Sequence, residues 1–183
     1  MNKILLNLIS LDNINQWEER DSIIKESVSQ HSFKVAAICS LLLSKLDCPN
    51  SYKLLCHQYA LLHDFDESII GRDIPHTTKY NNFNGTDIRH VLNSFVDRSL
   101  EDLCLLTLFK NFDDSVKSFV KLCDWIALYT FVVRHERLGC NVFEEEKQYC
   151  IKNIDEKIMD VTSLFKNKFN IDFDDKIVLD LIY

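Results

Sequence analysis

The sequence contains little that would interrupt helices or divide the chain into parts. Only three glycines and two prolines occur among 183 residues, and no linker rich in either residue is present. No internal repeat or low-complexity tract marks a second unit. With 46% apolar and 27% charged residues, the chain is predicted to form one domain over residues 1–183 with a sizeable core. The same composition excludes disordered and fibrous classes of protein.

Positive charge is also scarce. Lys and Arg number 21 against 28 Asp and Glu, which gives a net charge of −7. A chain with this balance lacks the general electrostatic footprint that binds nucleic-acid polymers or anionic membrane surfaces. We therefore expect neither as a partner, and any small anionic partner must meet a local basic cluster.

Long apolar runs and paired cysteine motifs are absent as well. The seven cysteines include no Cys-x-x-Cys pair, which disfavours a zinc knuckle and a disulfide framework. The N-terminal residues show no signal-peptide pattern, and we expect a cytoplasmic protein with reduced thiols. The longest uncharged stretches are about half of the ~20 residues that a membrane-spanning helix needs: Val35–Ser44, Leu54–His63 and Trp125–Val133.

Apolar residues recur at helical spacing over most of the chain and predict an all-α fold of about six to eight helices. The segment between Gly71 and Gly85 is the most irregular and is the best candidate for a functional loop. A break is expected near Ser99 in the helix that follows. The predicted helices cover about residues 2–11, 27–46, 51–62, 86–110, 113–138, 141–169 and 174–181.

Two histidines occupy positions from which they could bind a ligand. His31 lies in phase with the apolar residues Val28 and Leu42, so it is either a hydrogen-bonded core histidine or a ligand. His63 and Asp64 follow an apolar helical run. An imidazole and a carboxylate side by side suit one metal ion, or two ions bridged by the aspartate, although a solvated pair at a helix end has the same pattern.

Asp124 lies in the middle of the most apolar predicted helix. An unpaired carboxylate there would cost several kcal/mol, so a partner is required. Lys121, three residues earlier, would be that partner in an intrahelical ion pair. A divalent cation shared with Asp64 and the two histidines, His31 and His63, would account for all four residues at once.

Glu67 follows His63 by four residues. If the helix continues that far, the carboxylate of Glu67 lies on the same helix face as His63. It is either a base close to the site or a solvated helix residue. The remaining histidines show no ligand spacing and are expected to be structural or exposed: His57, His76, His90 and His135.

The order His31, His63-Asp64, Asp124 resembles the metal-binding signature of the HD-domain phosphohydrolases. Three stretches resemble the YfbR-type 5′-deoxynucleotidases more narrowly, and the similarity extends over about residues 8–145. The chain is also similar to small phage deoxynucleoside triphosphohydrolases, including those that act on dATP. The three stretches are Glu26-Ser-Val-Ser-Gln-His31-Ser, His63-Asp64-Phe-Asp-Glu67 with the following Gly71-Arg-Asp73-Ile-Pro75, and Lys121-Leu-Cys-Asp124.

The resemblance implies a helical HD-domain bundle with a metal site. Its ligands would be His31, His63, Asp64 and Asp124, which would hold a divalent transition metal, and Glu67 would assist the attacking water. Imidazole with carboxylate suits Mn, Fe, Co, Ni or Zn. Relatives also suggest a homo-oligomer.

The resemblance also implies substrate contacts. Trp17 would pack against the sugar and favour a ribose without its 2′-hydroxyl. Asp73 and Pro75 would shape the pocket, and Lys79 and Lys121 would contact phosphate.

The chain departs from the family at three positions. Gln16 precedes the Trp where Arg is common, Gln30 precedes the first His where Glu is common, and Arg72 is an additional residue. Arg20 or Arg72 could restore the missing positive charge.

The implied activity is metal-dependent hydrolysis of a phosphoester of 2′-deoxyribonucleotides. Because Gln16 removes one cation that outer phosphates would need, a 5′-deoxynucleotidase acting on deoxynucleoside monophosphates is favoured. The alternative is a triphosphohydrolase that releases triphosphate from a dNTP. A nucleotide phosphodiesterase and a non-catalytic nucleotide-binding regulator are the remaining readings.

Overall fold

Helices make up most of the chain in a computed structural model that describes residues 2–18, 20–73, 82–83 and 86–182. The all-α prediction is confirmed. Within these residues six helices have eight residues or more and three are shorter, and two two-residue strands pair antiparallel. The elements are α1 (Lys3–Ser10), α2 (Val28–Ser44), α3 (Asn50–Leu62), α4 (Phe65–Ile70), β1 (Asn82–Phe83), β2 (Thr86–Asp87), α5 (Ile88–Asp102), α6 (Leu106–Lys110), α7 (Asp114–Arg137), α8 (Glu144–Phe169) and α9 (Lys176–Ile182).

Polar side chains fix the starts of the two helices that carry the outermost predicted ligands. The Ser27 side chain accepts a hydrogen bond from the backbone N–H of Gln30, and the Gln30 side chain accepts one from the backbone N–H of Ser27. This reciprocal pair is a capping box, so Gln30 has a structural role at the start of α2. At the start of α7, Asp113 accepts a hydrogen bond from the N–H of Val116.

Helix α7 forms the centre of the core, with 14 of its 24 residues buried. It packs against α2, α3 and α8, and apolar side chains from all four helices meet around it. Burial on several faces explains why this helix is apolar nearly all round. None of the helices in the described part of the chain combines the length and the apolarity needed to cross a bilayer. All seven cysteines are free thiols.

The helical run through residues 50–70 is interrupted where the sequence places His63-Asp64. Helix α3 ends at Leu62, and α4 begins at Phe65. Asp64 has φ −106° and ψ 22°, which are not helical values. The two predicted ligands therefore lie at a junction between helices, where their side chains can turn toward α2 and α7.

The irregular stretch before α2 folds back on itself and is attached to the end of α7. The N–H of Gln16 donates to the carbonyl of Glu26 at 2.8 Å. The N–H of Ile24 donates to Nε2 of His135 at 3.2 Å, while Nδ1 of that ring donates to the Phe131 carbonyl at 2.9 Å. His135 is fully buried, so it is a structural histidine that anchors this stretch.

Candidate metal and catalytic site

Three parts of the fold bring the predicted ligands together. His31 comes from α2, His63 from the α3–α4 junction and Asp124 from α7, and one ligand atom from each lies within 4.8 Å of the others. Nε2 of His31 is 2.8 Å from Oδ1 of Asp124, and Nε2 of His63 is 3.8 Å from the same oxygen. His31 and Asp124 are almost completely buried.

Asp64 lies at the edge of the same cluster. Its Oδ2 is 3.1 Å from Nε2 of His63 and 4.0 Å from Nε2 of His31. The side-chain amide of Gln16 also donates to this oxygen, at 3.4 Å. Gln16, the residue that departs from the family pattern, is thus buried beside the ligand set.

The orientation of the His63 ring suits a cation bound in the cluster. Its Nδ1 donates to the Ala60 carbonyl at 2.9 Å, because a carbonyl oxygen can only accept. Nε2 is buried and faces the carboxylates, 3.1 Å from Oδ2 of Asp64 and 3.8 Å from Oδ1 of Asp124. Burial alone would lower the pKa of His63, but Asp64 and Asp124 outweigh it and hold that pKa well above its usual range. If a metal ion replaced the proton on Nε2, the lone pair of this nitrogen would be directed into the cluster, which is the arrangement that a metal ligand requires.

Asp124 has two partners, one on each carboxylate oxygen. Oδ1 faces the histidines, whereas Oδ2 accepts from Nζ of Lys121 at 2.5 Å. The ion pair with Lys121 and the shared cluster with the histidines are therefore compatible. The Lys121 side chain is 44% exposed, so its ammonium lies where the buried cluster opens to solvent.

The carboxylates of the cluster favour positive charge on the groups around them. Burial alone would lower the pKa of His31, but the hydrogen bonds with Asp124 and Glu26 outweigh it and raise that pKa to about 9. Burial opposes ionisation of Asp124, yet Lys121 and the histidines hold its pKa well below the usual range. Protons on the imidazoles satisfy the carboxylates when no cation is present. A divalent cation would provide the same positive charge, so the donor set fits a transition metal.

Glu26 belongs to this site, although the sequence analysis gave it no role. It is 4% exposed, and its Oε1 lies 3.5 Å from Nδ1 of His31. Its other oxygen forms an ion pair with Lys34. Burial raises the pKa of Glu26, but His31 and Lys34 outweigh this effect and lower it. The only signal in the sequence was that Glu26 begins the stretch that resembles the family around His31.

Glu67 lies on α4, directly after the ligand junction. Its side chain is buried, at 2% exposure, and its backbone N–H donates to the Asp64 carbonyl at 3.1 Å. The interpretation of Glu67 as a solvated helix residue is therefore wrong. An acidic group buried one turn after Asp64 is suited to proton transfer near the cluster.

The structure describes some of the residues predicted to contact substrate. Trp17 has φ +58°, its backbone N–H donates to Oδ2 of Asp73 at 2.8 Å, and its ring packs edge-on against Phe143 at 5.7 Å. Arg20 forms an ion pair with Glu146. Arg72 is exposed. Pro75 and Lys79 lie outside the described residues.

Solved structures of other proteins share this fold. DatZ, an HD phosphohydrolase of cyanophage S-2L described as bound to dA and one catalytic Zn²⁺ ion, matches with a TM-score of 0.73 and 14% identity over 96% of this chain and 92% of that chain. The PH0347 protein of Pyrococcus horikoshii matches with a TM-score of 0.64 and 17% identity over 100% and 96%. An HD-domain phosphohydrolase of Listeria innocua matches with a TM-score of 0.62 and 16% identity over 98% and 96%.

These identities are low, so the likeness to solved structures establishes the fold. No curated protein sequence matches the chain. The family model described as 5′-deoxynucleotidase YfbR-like matches residues 3–173, which is nearly the whole sequence. The chain therefore belongs to the YfbR-like 5′-deoxynucleotidases, a family of metal-dependent phosphohydrolases with the HD-domain fold.

Proposed function

We propose that this protein hydrolyses the 5′-phosphate of 2′-deoxyribonucleoside monophosphates to orthophosphate and the deoxynucleoside. The observation that carries the proposal is the buried cluster in which His31, His63 and Asp124 meet, with Asp64 at its edge. Lys121 lies at the opening of this cluster. A cation site next to an accessible ammonium is suited to one phosphate group.

The metal would be held by the imidazoles of His31 and His63 and the carboxylates of Asp64 and Asp124. Bound there, a divalent transition metal supplies Lewis acidity at phosphorus and a counter-charge for the phosphate. The donor set suits Mn, Fe, Co, Ni or Zn, and the Zn²⁺ ion described for DatZ supports including zinc.

Lys121 would contact a phosphate oxygen while its Nζ remains bonded to Asp124. An ammonium group has three donors, so one contact to a carboxylate is compatible with a second contact to phosphate. Lys79, from the loop segment outside the described residues, is proposed as the second phosphate contact.

Glu67 would act as the general base in this reaction. Its carboxylate would take a proton from the attacking water as the new P–O bond forms, and the bond from phosphorus to the 5′ oxygen would break. The proton would then pass from Glu67 to the departing 5′ oxygen, so that the carboxylate is regenerated. The burial of Glu67 beside the Asp64 backbone supports this assignment.

Trp17 would select the deoxyribose. The hydrogen bond from the Trp17 backbone N–H to Asp73 fixes the backbone, and Phe143 packs against the indole. A ring held in one place is what a steric barrier to a 2′-hydroxyl requires. Asp73 would thus shape the pocket by positioning Trp17, with Pro75 completing it. Arg20 remains a proposed substrate contact, and its ion pair with Glu146 would have to open for it to reach the substrate.

The second candidate is a deoxynucleoside triphosphohydrolase, favoured by the fold shared with DatZ, which is described as bound to dA.

One experiment tests both candidate functions. The protein is incubated with Mn²⁺ or Co²⁺ and each of the four dNMPs and dNTPs, and the products are separated by chromatography. We expect orthophosphate and deoxynucleoside from at least one dNMP, and Asp124→Asn should abolish both products. Inorganic triphosphate from a dNTP with every dNMP untouched would establish the alternative. A protein that binds but hydrolyses none of these would be a regulator, and one active only on diesters would be a phosphodiesterase.

The resemblance to the family also leads us to propose a homo-oligomer. Helix α1 has no buried residue, and Leu5 and Ile9 on it are each 51% exposed. Such an aliphatic surface is suited to contact with a second copy. Sedimentation at assay concentration should give at least twice the monomer mass, and a monomer would contradict the proposal.

We further propose that the protein works in the cytoplasm. The seven free thiols suit a reducing compartment. Fractionation of cells that express the full chain should recover it in the cytoplasmic fraction, and recovery with membranes would argue against this location.

A further inference from the structure

The surface against which the Trp17 indole packs is built from residues far from the metal cluster. Phe143, the residue before α8, is buried and lies edge-on to the indole, with 5.7 Å between the ring centroids. The ring of His135 packs against Phe143 in turn, at 5.0 Å. His135 follows Asp124 by eleven residues on α7, which puts it about 16 Å further along the helix axis. A phosphate bound at the cluster is therefore out of its reach.

The backbone of Trp17 has an unfavourable conformation. Its φ is +58°, in the left-handed region that bulky residues rarely adopt. Such a conformation persists only where the surrounding structure imposes it. The hydrogen bond from the Trp17 backbone N–H to Asp73 is one restraint. If the other restraints were loosened, Trp17 would relax toward negative φ and its indole would move.

Packing is what holds the indole ring in place. Its Nε1 is buried and has no hydrogen-bond partner in the part of the chain that the structure describes. The ring lies against a small apolar cluster formed by Phe131, Val132 and Phe143. The position of the indole therefore depends on how firmly this cluster is held.

His135 also restrains Trp17 through the backbone. Its Nε2 accepts a hydrogen bond from the N–H of Ile24 at 3.2 Å. Tight turns connect Ile24 to Trp17, because the N–H of Arg20 donates to the Trp17 carbonyl at 2.9 Å and the N–H of Ser22 donates to the Arg20 carbonyl at 2.8 Å. The segment between the anchor at Ile24 and the indole is thus short and internally hydrogen-bonded.

We propose that His135 and Phe143 are positioning residues that hold the Trp17 indole in place and so set the preference of the site for 2′-deoxyribose. His135 acts through both routes, by packing on Phe143 and by anchoring the segment that carries Trp17. The inference rests on the proposed function, in which the indole excludes a 2′-hydroxyl. It adds that this exclusion depends on a buried histidine that lies too far away to contact the substrate phosphate.

The test measures the ratio of kcat/KM for a ribonucleoside monophosphate to that for the matching deoxynucleotide. His135→Phe keeps an aromatic ring beside Phe143 but loses the hydrogen bond with Ile24. We expect it to raise the ratio about tenfold, the lower end of what one small group changes in an apolar pocket. His135→Gln has a carboxamide oxygen that can accept from the same N–H, so its ratio should lie closer to that of the wild type. Bound metal should be unchanged in both variants.

Two further variants separate the routes. Phe143→Leu weakens the packing and leaves the hydrogen bond between His135 and Ile24 in place. It should also raise the ratio, and it carries the test if His135→Phe does not fold. The double variant Trp17→Ala, His135→Phe should have the same ratio as Trp17→Ala alone, because both changes act through the same indole.

The matched control is His57→Phe. Nδ1 of His57 contacts the carbonyl of Lys53, four residues earlier, as Nδ1 of His135 contacts that of Phe131. Its Nε2 contacts Ser40 on α2, so its hydrogen bonds are made outside the Trp17 cluster. This variant should keep the wild-type ratio, whatever its effect on the Tm.

Quenching of Trp17 fluorescence by acrylamide gives a readout that needs no catalysis. The chain has two tryptophans, so Trp125→Phe leaves Trp17 as the single emitter. In this background His135→Phe should raise the quenching constant, because the indole is released from its packing, and His57→Phe should not.

An unchanged ratio in both His135→Phe and Phe143→Leu would overturn the inference, as would a further rise when His135→Phe is added to Trp17→Ala. Failure of the proposed function looks different. In that case the wild-type protein would release no product from either nucleotide, and the same variants would be compared by the ratio of Kd values for the two nucleotides. A wild-type protein that prefers the deoxynucleotide in neither kcat/KM nor Kd would also overturn the inference.

Discussion

Replacing Glu26 by Gln should weaken metal binding and leave the fold intact. The Glu26 carboxylate is buried with Oε1 3.5 Å from Nδ1 of His31, and its other oxygen is paired with Lys34. An ionised acceptor at this place keeps the proton of His31 on Nδ1 and its Nε2 lone pair directed at the cluster. A glutamine has the same shape but no charge, so it would hold the ring in place with a weaker interaction.

The geometry sets the expected size of the effect. Changes to a group that orients a metal-binding histidine typically cost 10–100-fold in metal affinity. A distance of 3.5 Å is at the long end for a hydrogen bond, so we expect about tenfold, or about 1.4 kcal/mol. Glu26→Ala should do more harm, because it leaves Nδ1 of His31 buried without this acceptor. We expect it to lower the free energy of unfolding by about 1–3 kcal/mol.

The assay is a titration with Co²⁺ or Zn²⁺ in competition with a chelator, together with a thermal melt of each variant. Glu156→Gln serves as the control, because Glu156 is 57% exposed in a surface ion pair with Lys152. Glu156→Gln should leave the metal Kd unchanged. A metal Kd for Glu26→Gln within twofold of wild type would refute the reasoning, and a lower Tm alone would restrict Glu26 to a structural role.

Four further predictions concern the cluster and its surroundings. His63→Ala and Asp124→Asn should both lose bound metal by elemental analysis. Retained metal in Asp124→Asn would show that Asp124 only forms the ion pair with Lys121 and does not bind metal. Glu67→Gln should keep the metal and lose about 10²–10⁴-fold in kcat; equal loss of metal would remove it from the role of base. Trp17→Ala should raise the ratio of kcat/KM for ribonucleotides to that for deoxynucleotides, and an unchanged ratio would make it a core aromatic. A chelator should lower the Tm by about 5–10 °C, since a ligand at a hundred times its Kd contributes about 2.7 kcal/mol; an unchanged Tm would argue against a metal in the purified protein.

The helices were predictable because their signals are local. Helix α7 was expected over residues 113–138 and runs from Asp114 to Arg137, since its apolar spacing and its cap lie within the segment itself. The interruption after α5 was placed near Ser99 but falls at residues 103–105, where Cys104 has φ +58°. A non-glycine residue in that conformation is held by its surroundings, and no residue type in the sequence indicated it.

The residues around the ligands were less predictable than the ligands themselves. Gln16 and Glu26 both reach the cluster from the irregular stretch before α2, where no helical period relates one position to the next. His135 was expected to be structural or exposed. It is buried, and it accepts a hydrogen bond from Ile24, which lies 111 positions away. Contacts of this kind depend on how segments pack, which a local pattern does not encode.

The sequence by itself determined the helical class, the kinds of donor and their order along the chain. Helical spacing put His31 on the buried face of α2, and the cost of burying a lone carboxylate required a partner for Asp124. Only the tertiary structure decided what those partners are. His31 and Asp124 are 93 positions apart in sequence, and their contact exists because α2 and α7 pack against each other. That packing also divides the two oxygens of Asp124 between His31 and Lys121, since only the relative position of helices fixes which atom faces which.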